Sequence, residues 1–282
     1  MSNLINLKAV LVIALIFIPL ERLLPLHAEH SSARGHWPND VVYLLFNGII
    51  IKIALIIVIG TAMLLLHQLV PAGLTQAVRL QPVWLQAMEV LVLADTGFYL
   101  SHRAFHAVPF LWRFHSIHHS IEEMDGLAGS APRPSCRPDP DQIGVVPAGL
   151  RARFSTPAHT DLHIGLSVAV AVHPFDTRIR VGPLKWLLAS PRFHHWHHAN
   201  EREAWDKNFA GQLPFARHAG RHIVHARQDA AEYDTDDPVP SLYHRQLAYP
   251  FVGDQLFVGN TEQTAPPARL AEASPTSAGK SE

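Results

Sequence analysis

The chain of 282 residues carries a single cysteine, Cys136, so it has neither an internal disulfide nor a thiolate-held metal cluster. Charge is scarce. Asp, Glu, Lys and Arg make up 17% of the residues, against roughly 25% in ordinary soluble domains, and that deficit points to a membrane protein. A basic surplus is missing as well. The formal net charge is −1, which leaves nothing to attract a phosphate backbone and excludes nucleic acid as a partner. Flavin, haem and nicotinamide fingerprints are also missing. The length suits one large domain or two small ones.

What the chain has in place of charge is long apolar runs and histidine. Ala9–Leu20 is wholly apolar. Lys8 ahead of it suits a signal peptide, but no small-x-small cleavage site follows in "LLPLHAEHSS", so an uncleaved membrane-embedded helix is the better reading. Val41–Leu66 is long enough to cross a hydrocarbon core of about 30 Å at about 1.5 Å per residue. Lys52 inside it has to snorkel or face protein. Pro82–Ser101 is a third candidate span, and it carries Glu89 and Asp95. Acids within a span face the bundle interior and mark functional sites. Three spans put the following segment on the opposite side from the N-terminus, and Arg103 and Arg113 favour the cytoplasm for it.

Twenty histidines are present, and many of them are clustered. "HRAFH" sets His102 and His106 four residues apart, on one helical face. "HSIHH" sets His115, His118 and His119 at i, i+3 and i+4, and "HHWHH" repeats that spacing with His194, His197 and His198. His195 is an extra ring, turned elsewhere on its helix. Neutral imidazole is a common nitrogen ligand for zinc, iron, copper and nickel. Eight rings exceed what one tetrahedral ion takes, so two ions sharing a site is the natural count. Imidazole alone does not distinguish iron from zinc. Asp95 lies seven residues before His102, about two helical turns, and is expected to accept from a ligand histidine and fix its tautomer. Trp112, Phe114 and Trp196 are expected to pack rather than to line a substrate groove.

"DTGFYLSHRAFHAVPFLWRFHSIHHS" together with "SPRFHHWHHANE" resembles the sterol desaturase and fatty acid hydroxylase superfamily, membrane-bound non-haem di-iron oxygenases. The pattern H-x-x-x-H, H-x-x-H-H, H-x-x-H-H is matched at His102/His106, His115/His118/His119 and His194/His197/His198, over about Asp95 to Gly126 and Arg178 to Phe215. The resemblance implies an all-α membrane helical bundle with a cytosol-facing, histidine-rich metal-binding cap. It implies two iron ions at the junction, and hydroxylation or desaturation of a membrane lipid by O2. Electrons then come from an external donor protein. An alternative of another class is a histidine-rich metal transporter. That would place ligands within spans and show paired half-helices, whereas these clusters follow a span. A catalytically damaged homologue is a third reading.

The expected organisation is membrane helices over 1–92, a catalytic domain over 93–226, and a C-terminal segment with a disordered tail over 227–282. Within it, "APRPSCRPDPD" (Ala131–Asp141) departs from the family, whose members carry a further apolar span and histidine there. Four prolines and no helical period read as loop. For one choice of codons, dropping a single base from Ala131–Gly144 yields RLAHPVDQILTRS, and the same operation on Ala216–Ala230 yields LDTLAGTSYMPAKM. Both resemble the family's continuation, so parts of 131–176 and 216–230 read as translated in a shifted frame. His159, His163, His173, His218, His222 and His225 are then products of the shift, not ligands. Residues 131–165 are expected to be irregular and to bury little apolar surface.

Overall fold

Two prolines and one serine set the helices that matter. Pro82 precedes the longest of them, which runs from Val83 to Ala107. It stops because Val108 stands before Pro109, a position that disfavours helical dihedrals. Val108 is extended (φ −100°, ψ 115°), and Pro109 begins the next helix at its first position. Without that break, His102 and His119 would lie far apart along one rod. With it, the two helices fold against each other.

The computed structural model describes residues 15–16, 18–27, 37–43, 71–124, 176–177, 182–186, 188–209, 211, 213, 223–224, 230 and 233–252. Its helices, in chain order, are α1 (Trp37–Val42), α2 (Ala72–Arg79), α3 (Val83–Ala107), α4 (Pro109–His119), α5 (Pro191–His198) and α6 (Tyr243–Val252), with a 3-10 turn over Gly182–Trp186. The described residues contain no strand. They contain two isolated bridges, Pro25 with Thr177 and Ala199 with Tyr233. The helical class expected from the sequence therefore stands for this part of the chain.

Of the three apolar runs, Pro82–Ser101 becomes α3 and continues through the first histidine pair. At about 1.5 Å per residue its 25 residues measure about 37 Å. It is long and apolar enough to cross a membrane. Val83, Trp84, Met88, Val92, Leu93 and Leu100 are exposed along it. Glu89 accepts a hydrogen bond from Gln81 (3.0 Å). Most of Ala9–Leu20 and Val41–Leu66, and all of 131–165, lie outside the described residues.

Two apolar clusters flank the histidines. Ile121, Met124, Trp196 and Tyr233 belong to one, so Trp196 packs as expected. Tyr43, Ile117 and Tyr249 form the other, which seats α6 on α4. The Tyr43 hydroxyl donates to Gln246 (2.7 Å), and Phe114 meets Phe251 edge to face. The N-terminal segment is clasped at His27. Its Nδ1 lies 2.9 Å from Asp176 Oδ1 and its Nε2 lies 3.0 Å from the Ala230 carbonyl. Both partners only accept, so satisfying both requires the doubly protonated ring.

α5 carries the third histidine cluster and starts on Ser190, whose Oγ accepts from Phe193 N (3.3 Å), with Pro191 following. A serine cap of this kind is worth about 1 kcal/mol. Ser190→Ala is expected to lower unfolding stability by about that amount, measured by urea denaturation in detergent. A change below about 0.3 kcal/mol would mean that α5 does not depend on its cap.

Candidate metal centre

The break at Val108 brings α3 and α4 together so that His102 and His106 face His115 and His119. Ring centroids are 4.9 Å apart for His102 and His115, and 4.9 Å for His106 and His119. α5 then adds His197, 4.4 Å from His102 and 4.8 Å from His119. The ring nitrogens of His102, His106, His115, His119 and His197 all lie within 4.8 Å of one another. His118, His194 and His198 form a second such group. The two adjoin, with His119 stacked on His198 at 4.3 Å. All eight histidines singled out by spacing thus meet in one place, divided five and three.

Burial dictates the chemistry of these rings. His115, His119 and His198 are held well below the ordinary histidine pKa, first by burial and then by neighbouring imidazoles. Burial, followed by His106, lowers His197 to about 3. These four rings are therefore neutral at physiological pH, with lone pairs available. Buried polar nitrogens ordinarily find partners. Nε2 of His106, His119 and His197 and both ring nitrogens of His198 have no hydrogen-bond partner. His102 Nε2 and His115 Nε2 lie 3.0 Å apart. Two donors each about 2.1 Å from one ion, at a right angle, would be about 3 Å apart. An all-imidazole set with orphaned inward nitrogens fits late first-row divalent ions.

Backbone groups fix the outer nitrogens. His102 Nδ1 lies 3.2 Å from the Phe209 carbonyl, and His197 Nδ1 lies 2.7 Å from the Lys207 carbonyl. His106 Nδ1 faces Asp206 Oδ1 at 3.4 Å. That contact, first of all, holds the Asp206 carboxyl below its usual range. The sequence missed these residues. A histidine spacing shows which rings share a face, but not which carbonyl arrives from about a hundred residues away. The available signal was local: Asp206 and Asn208, in "DKNF", are residue types that tolerate positive φ, and both adopt φ 56°.

Asp95 is buried on α3, and the outer nitrogen of His102 faces the Phe209 carbonyl. The Asp95 carboxylate accepts from Leu213 N (3.3 Å). Gly211 beside it allows that close approach, since a Cβ there would lie 2.7 Å from Phe98 and 3.1 Å from Asp95. Asp95 therefore holds the segment after the 206–209 loop. Trp112 lies beside His106 (4.9 Å) and His119 (5.3 Å), and its indole donates to Asp237. His195 turns away from the cluster, with Nδ1 2.7 Å from the Tyr233 hydroxyl. It approaches His27 and Asp176 closely enough to form a third group of possible ligands. His27 has both ring nitrogens engaged, so that group is a clasp.

The fatty acid hydroxylase family profile matches residues 87–219, a span that includes all eight histidines and the 206–209 loop. Residues 87–219 are thus similar to a fatty acid hydroxylase domain. Among curated proteins the chain is similar to the ornithine lipid hydroxylase OlsE of Rhizobium tropici, 27% identical over 88% of this chain and 75% of that protein. It is also similar to the alkylglycerol monooxygenases of Homo sapiens and Caenorhabditis elegans, each 30% identical. Those matches cover 42% and 43% of this chain but only 26% and 23% of the relatives. These relatives belong to the superfamily that the histidine motifs resemble. No solved structure gives a significant match.

The neutral rings yield a pH prediction for the metal-free protein. In the unfolded chain these histidines titrate near 6.5, and in the fold they titrate well below it. Below pH 6.5 the unfolded state takes up protons that the folded state refuses, so stability is full above that pH and falls as pH drops. Each such ring removes up to about 1.4 kcal/mol per pH unit in that window. Tm is expected to decline from pH 7 to pH 5. A flat Tm over that range would contradict the buried neutral state.

Proposed function

We propose that this chain is a membrane-bound, O2-dependent lipid hydroxylase whose eight clustered histidines hold two iron ions. The family profile and relatives named for hydroxylating or oxygenating lipids support lipid hydroxylation over desaturation. The observation that carries the metal reading is the imidazole cluster at the C-terminal end of a long apolar helix, with buried ring nitrogens of His106, His119, His197 and His198 left without a hydrogen bond. His102 and His106 occupy the last turns of α3, while exposed apolar side chains cover its earlier turns. A lipid chain held along those turns would lead directly to the cluster.

In this reading α3 crosses the bilayer and the histidines face the cytoplasm, with Arg103 and Arg113 on that side. His102, His106, His115, His119 and His197 hold one ion, and His118, His194 and His198 the other. Bound iron would supply reduction of O2 and hydrogen abstraction from an unactivated C–H bond. The chain's own residues keep the donors neutral, hold their lone pairs inward and exclude water from the rings. Electrons come from an external donor protein.

The test is iron per chain in detergent-purified protein, together with O2-dependent gain of one oxygen atom by a lipid extract. His197→Ala and His118→Ala, one from each group, are each expected to lower iron content and to reduce hydroxylation at least about 100-fold, as loss of a metal ligand does. Wild-type iron and activity in both variants would refute the assignment.

The shifted-frame reading of 131–176 and 216–230 makes a separate prediction. Restoring the frame is expected to add a span and a middle histidine and to raise iron per chain. Equal iron and equal hydroxylation in both versions would mean that these stretches are native.

A further inference from the structure

Four consecutive residues, Asp206 to Phe209, supply the outer-nitrogen contacts of three histidines on two helices. Asp206 faces His106 and Phe209 faces His102, both on α3, while Lys207 faces His197 on α5. A carbonyl oxygen only accepts, so Nδ1 of His102 and of His197 must carry the proton, and the lone pair then lies on Nε2, towards the cluster. Positive φ at both Asp206 and Asn208 turns this backbone. Left-handed dihedrals outside glycine are strained, and they persist where the surroundings over-determine them.

The surroundings here are the contacts of one side chain. Asn208 is 1% exposed. Its Nδ2 donates to the Phe193 carbonyl (3.0 Å) in α5 and to the Val224 carbonyl (3.2 Å). Its Oδ1 accepts from Val224 N (2.9 Å). All three partners are backbone groups, so the amide ties the loop to α5 whatever side chains surround it. We infer that Asn208 is a positioning residue that locks the 206–209 loop and, through it, the tautomers of His102, His106 and His197. Ligand nitrogens on two separate helices are thereby set by one clamp.

The inference rests on the metal-centre reading, and the experiment keeps the two apart. Detergent-purified protein is stripped, reloaded with Co(II), and followed by titration and by its visible ligand-field bands. Asn208→Gly leaves φ 56° unstrained and deletes only the amide. Expected are Co(II) binding about 10–100-fold weaker and an altered band pattern, the usual consequence of losing a partner that orients a ligand. A merely structural amide would lower the Tm of the metal-free protein while affinity and bands stayed at wild type, and that result would overturn the inference. Should Asn208→Gly fail to fold, Asp206→Gly carries the test, since that carboxylate is 73% exposed. It is expected to weaken Co(II) binding several-fold and to shift the bands; wild-type values would overturn the inference. Wild-type protein that takes up no Co(II) would instead bring down the metal centre itself.

Discussion

Eight imidazoles packed together, six of them buried and His106 and His194 partly so, are the constraint on which the rest of the molecule depends. Burying an uncompensated polar group costs roughly 1–3 kcal/mol on mutational scales, and protonating one ring beside another adds repulsion. The cluster is tolerable only if the rings stay neutral and their inward nitrogens have a use. The lowered pKa values of His115, His119, His197 and His198 meet the first condition. A bound cation would meet the second. The local architecture follows: a chain break to fold α3 onto α4, a capped short helix to bring in α5, and a loop to satisfy the outer nitrogens.

The same constraint explains why apolar and polar chemistry meet on one helix. α3 is exposed and apolar in its earlier turns and buried and polar at His102 near its end. A soluble domain would have to cover the first part, and a helix wholly within lipid could not keep the second. The proposed membrane helix, leaving the bilayer at its C-terminal end, would accommodate both. Polar anchors recur around that end. Trp112 reaches Asp237, and α6 closes over α4 through Tyr43, Ile117 and Tyr249. The C-terminal segment therefore belongs with the histidine helices in space, although composition alone set it apart.

How much could be read in advance depended on the range of each interaction. His102/His106, His115/His118/His119 and His194/His197/His198 were legible because i, i+3 and i+4 spacing is local, and helices at those positions make it a face. Pro109 and Ser190, which set the starts of α4 and α5, were not singled out, although proline and serine are local helix-start signals. Division of the rings into five and three was not legible, because it depends on how α5 docks against α3 and α4. Asp95 shows the limit from the other side. Its position on the helix is as expected, but which backbone it would meet was not legible: its carboxylate accepts from Leu213 N, while the Phe209 carbonyl takes the His102 nitrogen. Asn208 was invisible for the same reason, its three partners being backbone atoms remote in sequence.

The irregular stretches sharpen the distinction between holding a centre and using it. None of the eight histidines lies in 131–176 or 216–230, nor does any residue of the 206–209 loop. From 216–230, backbone atoms of Val224 meet Asn208 and the Ala230 carbonyl meets His27, while the side chains of Ala230 and Val224 pack in the apolar cluster that holds Trp196. Backbone groups survive a change of reading frame that alters every side chain. Asp176, the one described residue of 131–176, contributes a side chain, but to the His27 clasp rather than to the two histidine groups. Among the described residues, then, hydrogen bonds on His102, His106, His115 and His197 come from the 206–209 loop and from the histidines themselves. The apolar packing behind α5 does draw on side chains of 216–230, through Ala230 and Val224. If those stretches are frame-shifted as proposed, the packing behind the third cluster is where the change would be felt first.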